Sequence, residues 1–275
     1  MSLEHYLNRV TCGNCLKVLP NLPDGCVDLT VTSPPYDNLR DYKGYVFPFE
    51  DIARELFRVT KKGGVVVWVV GDATIDGSET GTSFRHALYF MECGFNLHDT
   101  MIYRKGGFPF PEVTRYNPVF EYMFILCNGK IKTFNPIRDK VNIYSGDKVA
   151  REKSDRQPDG SLKANSAYKN DRSKVINEKG MRDNVWQYSI GKGNSSSDDL
   201  AFKHPATFPE RLVIDHIKSW SNEGDLIYDP FMGSGTTAKM SHLLKRKWIG
   251  SEISHEYVDL ANKRIQPYID QKTLF

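Results

Sequence analysis

The stretch VDLTVTSPPY, residues 27–36, runs from an apolar segment directly into a polar turn. The apolar segment is typical of a buried strand. In the turn, two consecutive prolines each fix φ near about −65° and remove a backbone donor. The carbonyl groups of Ser33 and Pro34 therefore stay free to accept hydrogen bonds. With the Ser33 hydroxyl and the Tyr36 ring, they suit a planar heterocycle that carries an NH2 group. A Pro-Pro turn with a packed tyrosine is the alternative interpretation.

A second strand-to-helix junction lies near the other end of the chain, in LIYDPFMGSGTT, residues 226–237. Glycines at such a junction let a ligand approach the backbone, and the next helix offers unpaired N–H groups. A further predicted strand, residues 247–251, ends in Glu252. An acidic residue about 20 positions beyond a glycine turn holds ribose hydroxyls in nucleotide-binding α/β folds. Because no Gly-Lys-Ser/Thr follows the turn, a cofactor with a ribose but no phosphate fits best.

Together these stretches resemble the amino-directed DNA methyltransferases that use S-adenosylmethionine. In that family a Ser/Asp/Asn-Pro-Pro-Tyr/Phe motif holds the flipped base, and an Asp-Pro-Phe-x-Gly-x-Gly-Thr motif holds the cofactor. This chain has SPPY at residues 33–36 and DPFMGSGT at residues 229–236. The catalytic motif precedes the cofactor motif, which resembles the permuted beta group. The resemblance covers residues 8–127 and 203–266.

The resemblance implies two sets of site residues. The catalytic set is Ser33, Pro34, Pro35 and Tyr36. The cofactor-binding set is Asn14, Thr207, Phe208, Asp229, Phe231, Gly233, Ser234, Gly235, Thr236 and Glu252. The family commonly has Asp where this chain has Asn14, so the departure leaves the expected contact of this residue with the cofactor adenine open. No metal ion is implied.

The predicted chemistry is methylation of an exocyclic amino group. Its nitrogen is a poor nucleophile because the lone pair is delocalised into the ring. If Ser33 and the Pro34 carbonyl each accept one N–H, the nitrogen is biased towards a pyramidal geometry. Its lone pair is then free to attack the sulfonium methyl group by in-line displacement. None of the five cysteines follows a proline, which disfavours methylation at C5, where a cysteine nucleophile is needed.

The identity of the target base is predicted from Ser33. Adenine N6 enzymes usually have Asp at this position, and Ser resembles the cytosine N4 enzymes. We therefore expect cytosine N4 as the target, with adenine N6 as the alternative. Either base should be flipped out of duplex DNA and stacked on Tyr36.

The predicted fold class is α/β, with a Rossmann-like, mostly parallel sheet flanked by helices. Strands are expected at residues 65–70, 97–103, 120–126 and 185–190, and helices at 49–59, 83–93 and 238–244. A capping box formed by Thr207 and Glu210 predicts a further helix that ends near Trp220. The last helix is expected to run from Ser254, its cap, to residue 266 before Pro267. Both motifs follow strand ends, so they should meet at the carboxyl edge of the sheet.

A polar, basic insertion is predicted at residues 129–202, between two parts of a catalytic domain, 1–128 and 203–275. Residues 129–203 contain sixteen Lys and Arg against ten Asp and Glu, a balance of 16 − 10 = +6, whereas the whole chain carries +3. Local positive charge suits a phosphate backbone, although a solvated surface is an alternative. By resemblance, this insertion is the target-recognition region.

The remaining expectations concern location and partners. No run of about 18 apolar residues occurs and the first ten residues lack an apolar secretion segment, so a cytosolic protein with reduced cysteines is expected. Cys12 and Cys15 have the C-x-x-C spacing of a zinc site. No second such pair follows, so structural thiols are favoured over a metal site. Expected partners are double-stranded DNA and a candidate restriction endonuclease. The protein is expected to be a monomer or a homodimer. Other hypotheses are an RNA or protein-amide methyltransferase and an inactive nucleic-acid-binding protein.

Overall fold

The computed structural model describes residues 2–35, 47–107, 114–148, 154–164, 175–196 and 198–271. The chain divides into two compact units. The first contains Met1–Asn135 and Asn184–Phe275, and the second contains Pro136–Asp183.

Six α-helices and fourteen strands are formed by the described residues. The helices are α1 Cys15–Val18, α2 Phe49–Val59, α3 Thr82–Glu92, α4 Glu210–Trp220, α5 Thr236–Leu243 and α6 His255–Asp270, with 3-10 turns at Leu3–His5, Leu19–Asn21 and Asp199–Lys203. The strands are β1 Arg9–Cys12, β2 Val27–Thr32, β3 Thr60–Val70, β4 Thr74–Ile75, β5 Ser78–Glu79, β6 Asn96–Gly106, β7 Phe120–Cys127, β8 Arg138–Val141, β9 Ser154–Arg156, β10 Leu162–Ala164, β11 Lys179–Met181, β12 Val185–Ser189, β13 Leu226–Asp229 and β14 Lys247–Glu252.

The first unit is built on one eight-stranded sheet with the order β1-β14-β13-β2-β3-β7-β6-β12. β7 is antiparallel to both of its neighbours, and all other pairings are parallel. The prediction of a mostly parallel α/β sheet is therefore confirmed. Among the described residues, no helix has the length and apolar composition that a membrane crossing needs.

The centre of the sheet is buried, and its central strand β3 is apolar on both faces. In β3 the residues from Val65 to Val70 are all buried, as expected for a central strand that is covered on both faces. α2 supports one face with Ile52, Ala53 and Leu56, which recur at helical spacing and are fully buried. β3 in turn pairs with β2, the strand that leads into the catalytic turn.

Four neighbouring parallel strands bring the two motifs to one edge. Cys12 of β1 pairs with Glu252 of β14, and Asp229 of β13 pairs with Gly250. β13 also pairs with β2, where Tyr228 faces Thr30. The residues that follow these strands therefore share the carboxyl edge of the sheet, where ligands bind in open α/β folds.

The second unit is shorter than the insertion predicted at residues 129–202. β12 pairs with β6 and buries Trp186 and Tyr188, so the residues from Asn184 onward belong to the first unit. Within Pro136–Asp183, the strand pairs β8–β11 and β9–β10 are antiparallel. Twelve Lys and Arg face eight Asp and Glu in this unit, a balance of 12 − 8 = +4.

Two predicted helix boundaries are wrong. α4 begins at Glu210 after Pro209 without a side-chain cap, because the Thr207 hydroxyl instead donates to the Ala201 carbonyl at 3.2 Å. α6 continues through Pro267 to Asp270. A proline removes one backbone hydrogen bond, and this loss falls in the last turn, where the neighbouring residues are largely exposed. Ser254 does occupy the N-cap position of α6, but its side chain makes no capping hydrogen bond.

Candidate active site

A buried hydrogen bond joins the catalytic strand to the cofactor strand. The Thr32 hydroxyl, at the end of β2, donates to Asp229 Oδ1, at the end of β13, at 2.7 Å across 197 residues of sequence. Both residues are buried. Asp229 was predicted to bind cofactor, but its described contacts are internal: the Phe231 N–H also donates to Oδ1, at 3.0 Å. Asp229 thus holds the two motifs together.

The environment of Asp229 disfavours its charge. Burial raises the pKa of this carboxyl group to about 6, against the opposing effect of the hydrogen bonds from Thr32 and Thr237. Asp229 therefore holds its proton to a higher pH than an exposed aspartate does.

The predicted catalytic turn begins directly after β2. Pro34 is buried, and Ser33 and Pro35 are half-buried. Tyr36 lies outside the described residues. The structure therefore shows where the turn starts, beside β13, and the role of the tyrosine stays a prediction.

The predicted cofactor turn connects β13 to α5. Gly233 and Gly235 have φ values of 52° and 82°, which glycine adopts without strain. A Cβ atom at Gly235 would lie 2.9 Å from the Cβ of Ala261, and one at Gly233 would lie 3.1 Å from His204 Nε2. Both positions therefore require glycine for conformation and for space.

Glu252 closes the turn from the neighbouring strand. Its Oε2 accepts the Gly233 N–H at 2.8 Å, and its Oε1 accepts the Ser254 N–H at 2.9 Å. Burial raises the pKa of this carboxyl group, and backbone hydrogen bonds from Ser254, Gly233 and Ile253 oppose the rise. Each oxygen retains a second lone pair that can accept a hydroxyl. An oriented acid beside a glycine turn fits the ribose of S-adenosylmethionine.

Three other predicted cofactor residues have defined internal roles. The Asn14 Oδ1 atom accepts the Leu16 N–H at 2.9 Å and caps α1, so it already has one partner. Phe231 packs its ring edge-to-face against Phe47 and Trp68, with centroids 5.6 and 6.1 Å away. Thr207 bonds the Ala201 carbonyl, as described above, and Phe208 is half-buried beside it.

A charged cluster below the turn was not predicted from the sequence. It consists of Asp198, Glu210, Lys239 and Arg264, and the side chains of Lys239 and Arg264 are 1% and 0% exposed. The sequence did contain a signal, because Arg264 stands between Ala261 and Ile265 on the buried face of α6. A basic residue at a core position indicates an internal ion pair.

The fold and the carboxyl-edge site define an S-adenosylmethionine-dependent methyltransferase. Comparison with known proteins agrees with this class. The model of the DNA methylase family matches residues 27–263. The orphan methyltransferase M.BamHII of Bacillus amyloliquefaciens is 55% identical over 249 residues, which cover 90% of this chain and 92% of that protein. The Type II methyltransferase M.BglII of Bacillus subtilis is 27% identical, covering 99% and 72%.

Solved structures show the same fold. A DNA modification methylase of Thermus thermophilus, complexed with S-adenosyl-L-methionine, has a TM-score of 0.61 at 22% identity and covers 96% of this chain and 97% of its own. The cytosine-N4-specific PvuII DNA methyltransferase has a TM-score of 0.65 at 18% identity, covering 97% and 87%. The chain belongs to the DNA methylase family, as a beta-group, amino-directed enzyme whose cofactor is S-adenosylmethionine.

Proposed function

We propose that this protein methylates the exocyclic N4 amino group of a flipped cytosine in duplex DNA. The observation that carries the proposal is the Thr32–Asp229 hydrogen bond of 2.7 Å, because it fixes the start of the SPPY turn beside the strand that leads into the cofactor turn. Ser33 supports cytosine over adenine through its resemblance to N4 enzymes. Adenine N6 is the alternative, with the same mechanism.

The proposed mechanism depends on positioning. Bound S-adenosylmethionine supplies an electrophilic methyl group. The Ser33 hydroxyl and the Pro34 carbonyl accept the two N–H bonds of the amino group, which directs its lone pair out of the plane of the base. As this lone pair forms the new N–C bond, the C–S bond to the methyl group breaks and leaves a neutral thioether, and the nitrogen then releases one of its two protons. Tyr36 stacks on that base, and Glu252 holds the ribose of the cofactor. Positioning of this kind can lower a barrier by about 7–11 kcal/mol.

The other predicted cofactor residues have supporting parts. Ser234 and Thr236 carry the turn into α5, while Gly233 and Gly235 let the cofactor approach the backbone. Asn14, Thr207 and Phe208 are proposed to border the adenine and the rest of the cofactor. Asp229 and Phe231 act indirectly, by holding the turn against β2 and the aromatic cluster.

The second unit, Pro136–Asp183, is proposed to read the target sequence. Its balance of +4 favours contact with phosphates. A role in bacterial DNA modification follows from the relatives, which are named as Type II or orphan methyltransferases. A cognate restriction endonuclease is a candidate partner if the protein works as the Type II relatives are named. No such partner is expected if it works as an orphan methyltransferase.

The experiment that tests this function is incubation of the purified protein with labelled S-adenosylmethionine and mixed-sequence duplex DNA, followed by digestion and mass spectrometry of the nucleosides. N4-methylcytosine is the expected product. N6-methyladenine would overturn the choice of base and keep the mechanism. Label transferred instead to RNA or protein, in competition with duplex DNA, would overturn the DNA substrate.

Tyr36→Ala provides a second test of the base-binding role. Removing the ring should lower methylation far more than cofactor affinity, because the role proposed for the ring is to stack on the base. An equal loss of methylation and of cofactor affinity would contradict the stacking role.

A further inference from the structure

The four-charge cluster, Asp198, Glu210, Lys239 and Arg264, lies directly behind the cofactor turn. Arg264 Nε contacts the Asp198 carboxylate at 3.0 and 3.2 Å, and Nη2 contacts Glu210 Oε1 at 3.0 Å. Lys239 Nζ contacts the same two acids, at 2.8 and 2.9 Å. Two buried positive charges are therefore balanced by two partly buried negative charges.

Arg264 also reaches into the turn itself. Its Nη1 donates to the Ser234 carbonyl at 2.6 Å, with further contacts to Ser234 Oγ at 3.0 Å and Thr236 Oγ1 at 3.2 Å. One planar guanidinium thus holds two acids on one side and the backbone of the turn on the other. Lysine cannot reproduce this set of contacts, because it lacks the rigid fork of donors.

The turn needs such an external anchor. Ser234 stands between two glycines with positive φ, and glycine gives a backbone its greatest freedom. A freely moving turn would be ordered only when cofactor binds, and that ordering lowers the apparent affinity. Arg264 holds the turn in one conformation beforehand.

The cluster also fixes the position of Arg264. Burial raises the pKa of Asp198, but the hydrogen bond from Lys239 and the charge of Arg264 outweigh it, so this pKa lies below its usual value. Asp198 is therefore bound as a charged partner, and removing one ion of the cluster would leave an unbalanced charge beside the buried Lys239 and Arg264. Asp198 and Glu210 thereby hold the guanidinium at the height of the turn.

We propose that Arg264 is a positioning residue for the cofactor, which preorganises the Gly233–Thr236 turn from its buried side. The inference rests on the proposed cofactor role of this turn. Asp198 and Glu210 act through Arg264, and Lys239 keeps the cluster neutral. The side chain of Arg264 is fully buried.

The test is calorimetric binding of S-adenosylmethionine to Arg264→Met, with single-turnover methylation at saturating cofactor. Loss of hydrogen bonds to a charged group predicts a Kd about tenfold or more higher, while the transfer rate at saturation changes by less than about threefold. A lower Tm with an unchanged Kd in the folded protein would reduce Arg264 to a structural role and overturn the proposal.

Arg246→Met is the matched control. Its guanidinium also donates to backbone carbonyls, of Leu244 at 2.6 Å and Ser221 at 2.8 Å, but these lie at the opposite end of α5. We expect a lower Tm with an unchanged Kd. A rise in Kd equal to that of Arg264→Met would show that any loss of stability weakens binding, and would overturn the proposal.

Two further variants keep the test decisive. If Arg264→Met does not fold, Arg264→Lys preserves the charge balance; its Kd should still rise, and an unchanged Kd would contradict the proposal.

Glu252→Ala separates the positioning role of Arg264 from the proposed cofactor role of the turn. If it raises Kd and the Arg264 variants do not, only the positioning role fails. If Glu252→Ala leaves Kd unchanged as well, the cofactor assignment of the turn fails.

Discussion

The catalytic turn, Ser33–Pro35, and the cofactor turn, Gly233–Thr236, lie at the same edge of the sheet but obtain their shape by opposite means. In the catalytic turn, two prolines restrict the backbone covalently. In the cofactor turn, two glycines leave the backbone free, and contacts from Glu252 and Arg264 restrict it. The first conformation is encoded locally, and the second is encoded by residues up to 30 positions away in sequence.

This difference determines which substitutions should alter the conformation of each turn. The cofactor turn should respond to changes in side chains that never contact the cofactor. The catalytic turn should respond to its own residues and to the strand end that carries it. The predictions below start with the largest expected effect.

Ser33→Ala tests the local encoding of the catalytic turn. Removing the hydroxyl deletes one acceptor for the amino group, so the methyl transfer rate should fall about 100-fold, within the range seen for loss of one positioned polar contact in a transition state. The Kd for S-adenosylmethionine should stay within about twofold of the parent. Rapid-quench methylation and calorimetry measure the two quantities. A comparable loss of cofactor affinity would mean that the two turns are not independent.

Gly235→Ala tests the need for glycine in the cofactor turn. The new Cβ would lie 2.9 Å from Ala261 Cβ, in a backbone conformation with φ of 82°, so unfolding free energy should fall by about 2 kcal/mol. Gly224→Ala is the control, since Gly224 has a φ of 86° and open space around its Cβ position. Gly224→Ala therefore has the same backbone strain from a positive φ but no close contact at its Cβ atom. Equal losses of stability in urea denaturation would remove close packing from the explanation.

Thr32→Val breaks the bond between the two strands. Asp229 loses a hydrogen-bond donor in a buried site, which should lower the unfolding free energy by about 1–2 kcal/mol. Thr30→Val is the matched control two residues earlier, because the Thr30 hydroxyl is buried without a hydrogen-bond partner among the described residues. That variant should be neutral or slightly stabilising. If both variants lose the same stability, the Thr32–Asp229 bond contributes nothing.

Asp229→Asn gives the smallest expected effect, in the pH dependence of stability. Because the pKa of Asp229 is raised to about 6 in the folded protein, its contribution to stability is fully present below the unfolded pKa and is lost as pH rises through 6. From pH 5 to 7 this group alone should lower unfolding free energy by about 1 kcal/mol. The variant should lack this component in parallel denaturation series. An identical pH profile would contradict the raised pKa.

The sequence was sufficient for elements whose signal is local. The β-branched run of β3 and the two motifs at strand ends predicted the sheet and its functional edge. The helix end at Pro267 was predicted wrongly, because one lost hydrogen bond in an exposed last turn costs too little to stop α6. The capping role of Thr207 also failed, because a tertiary partner, the Ala201 carbonyl, took its hydroxyl.

Other features depend on residues far apart in the chain. The four-charge cluster joins Asp198 to Arg264 across 66 positions, and no periodicity within one helix specifies that pairing. The place of β12 beside β6 likewise depends on tertiary contact. The roles of the predicted site residues, and of Tyr36 above all, stay predictions that the variants above would test.

The strand order also bears on how the protein is made. β1 and β2 leave the ribosome before their partners in the sheet, because β14 and β13 come more than 190 residues later. Until then β1 has no partner in the sheet and β2 is open on one side, and such open edges invite wrong pairing during synthesis. A chain released before residue 226 would have the catalytic turn but neither the glycine turn nor the acid at the end of β14. Both β13 and β14 must therefore be synthesised before the cell has a working methyltransferase.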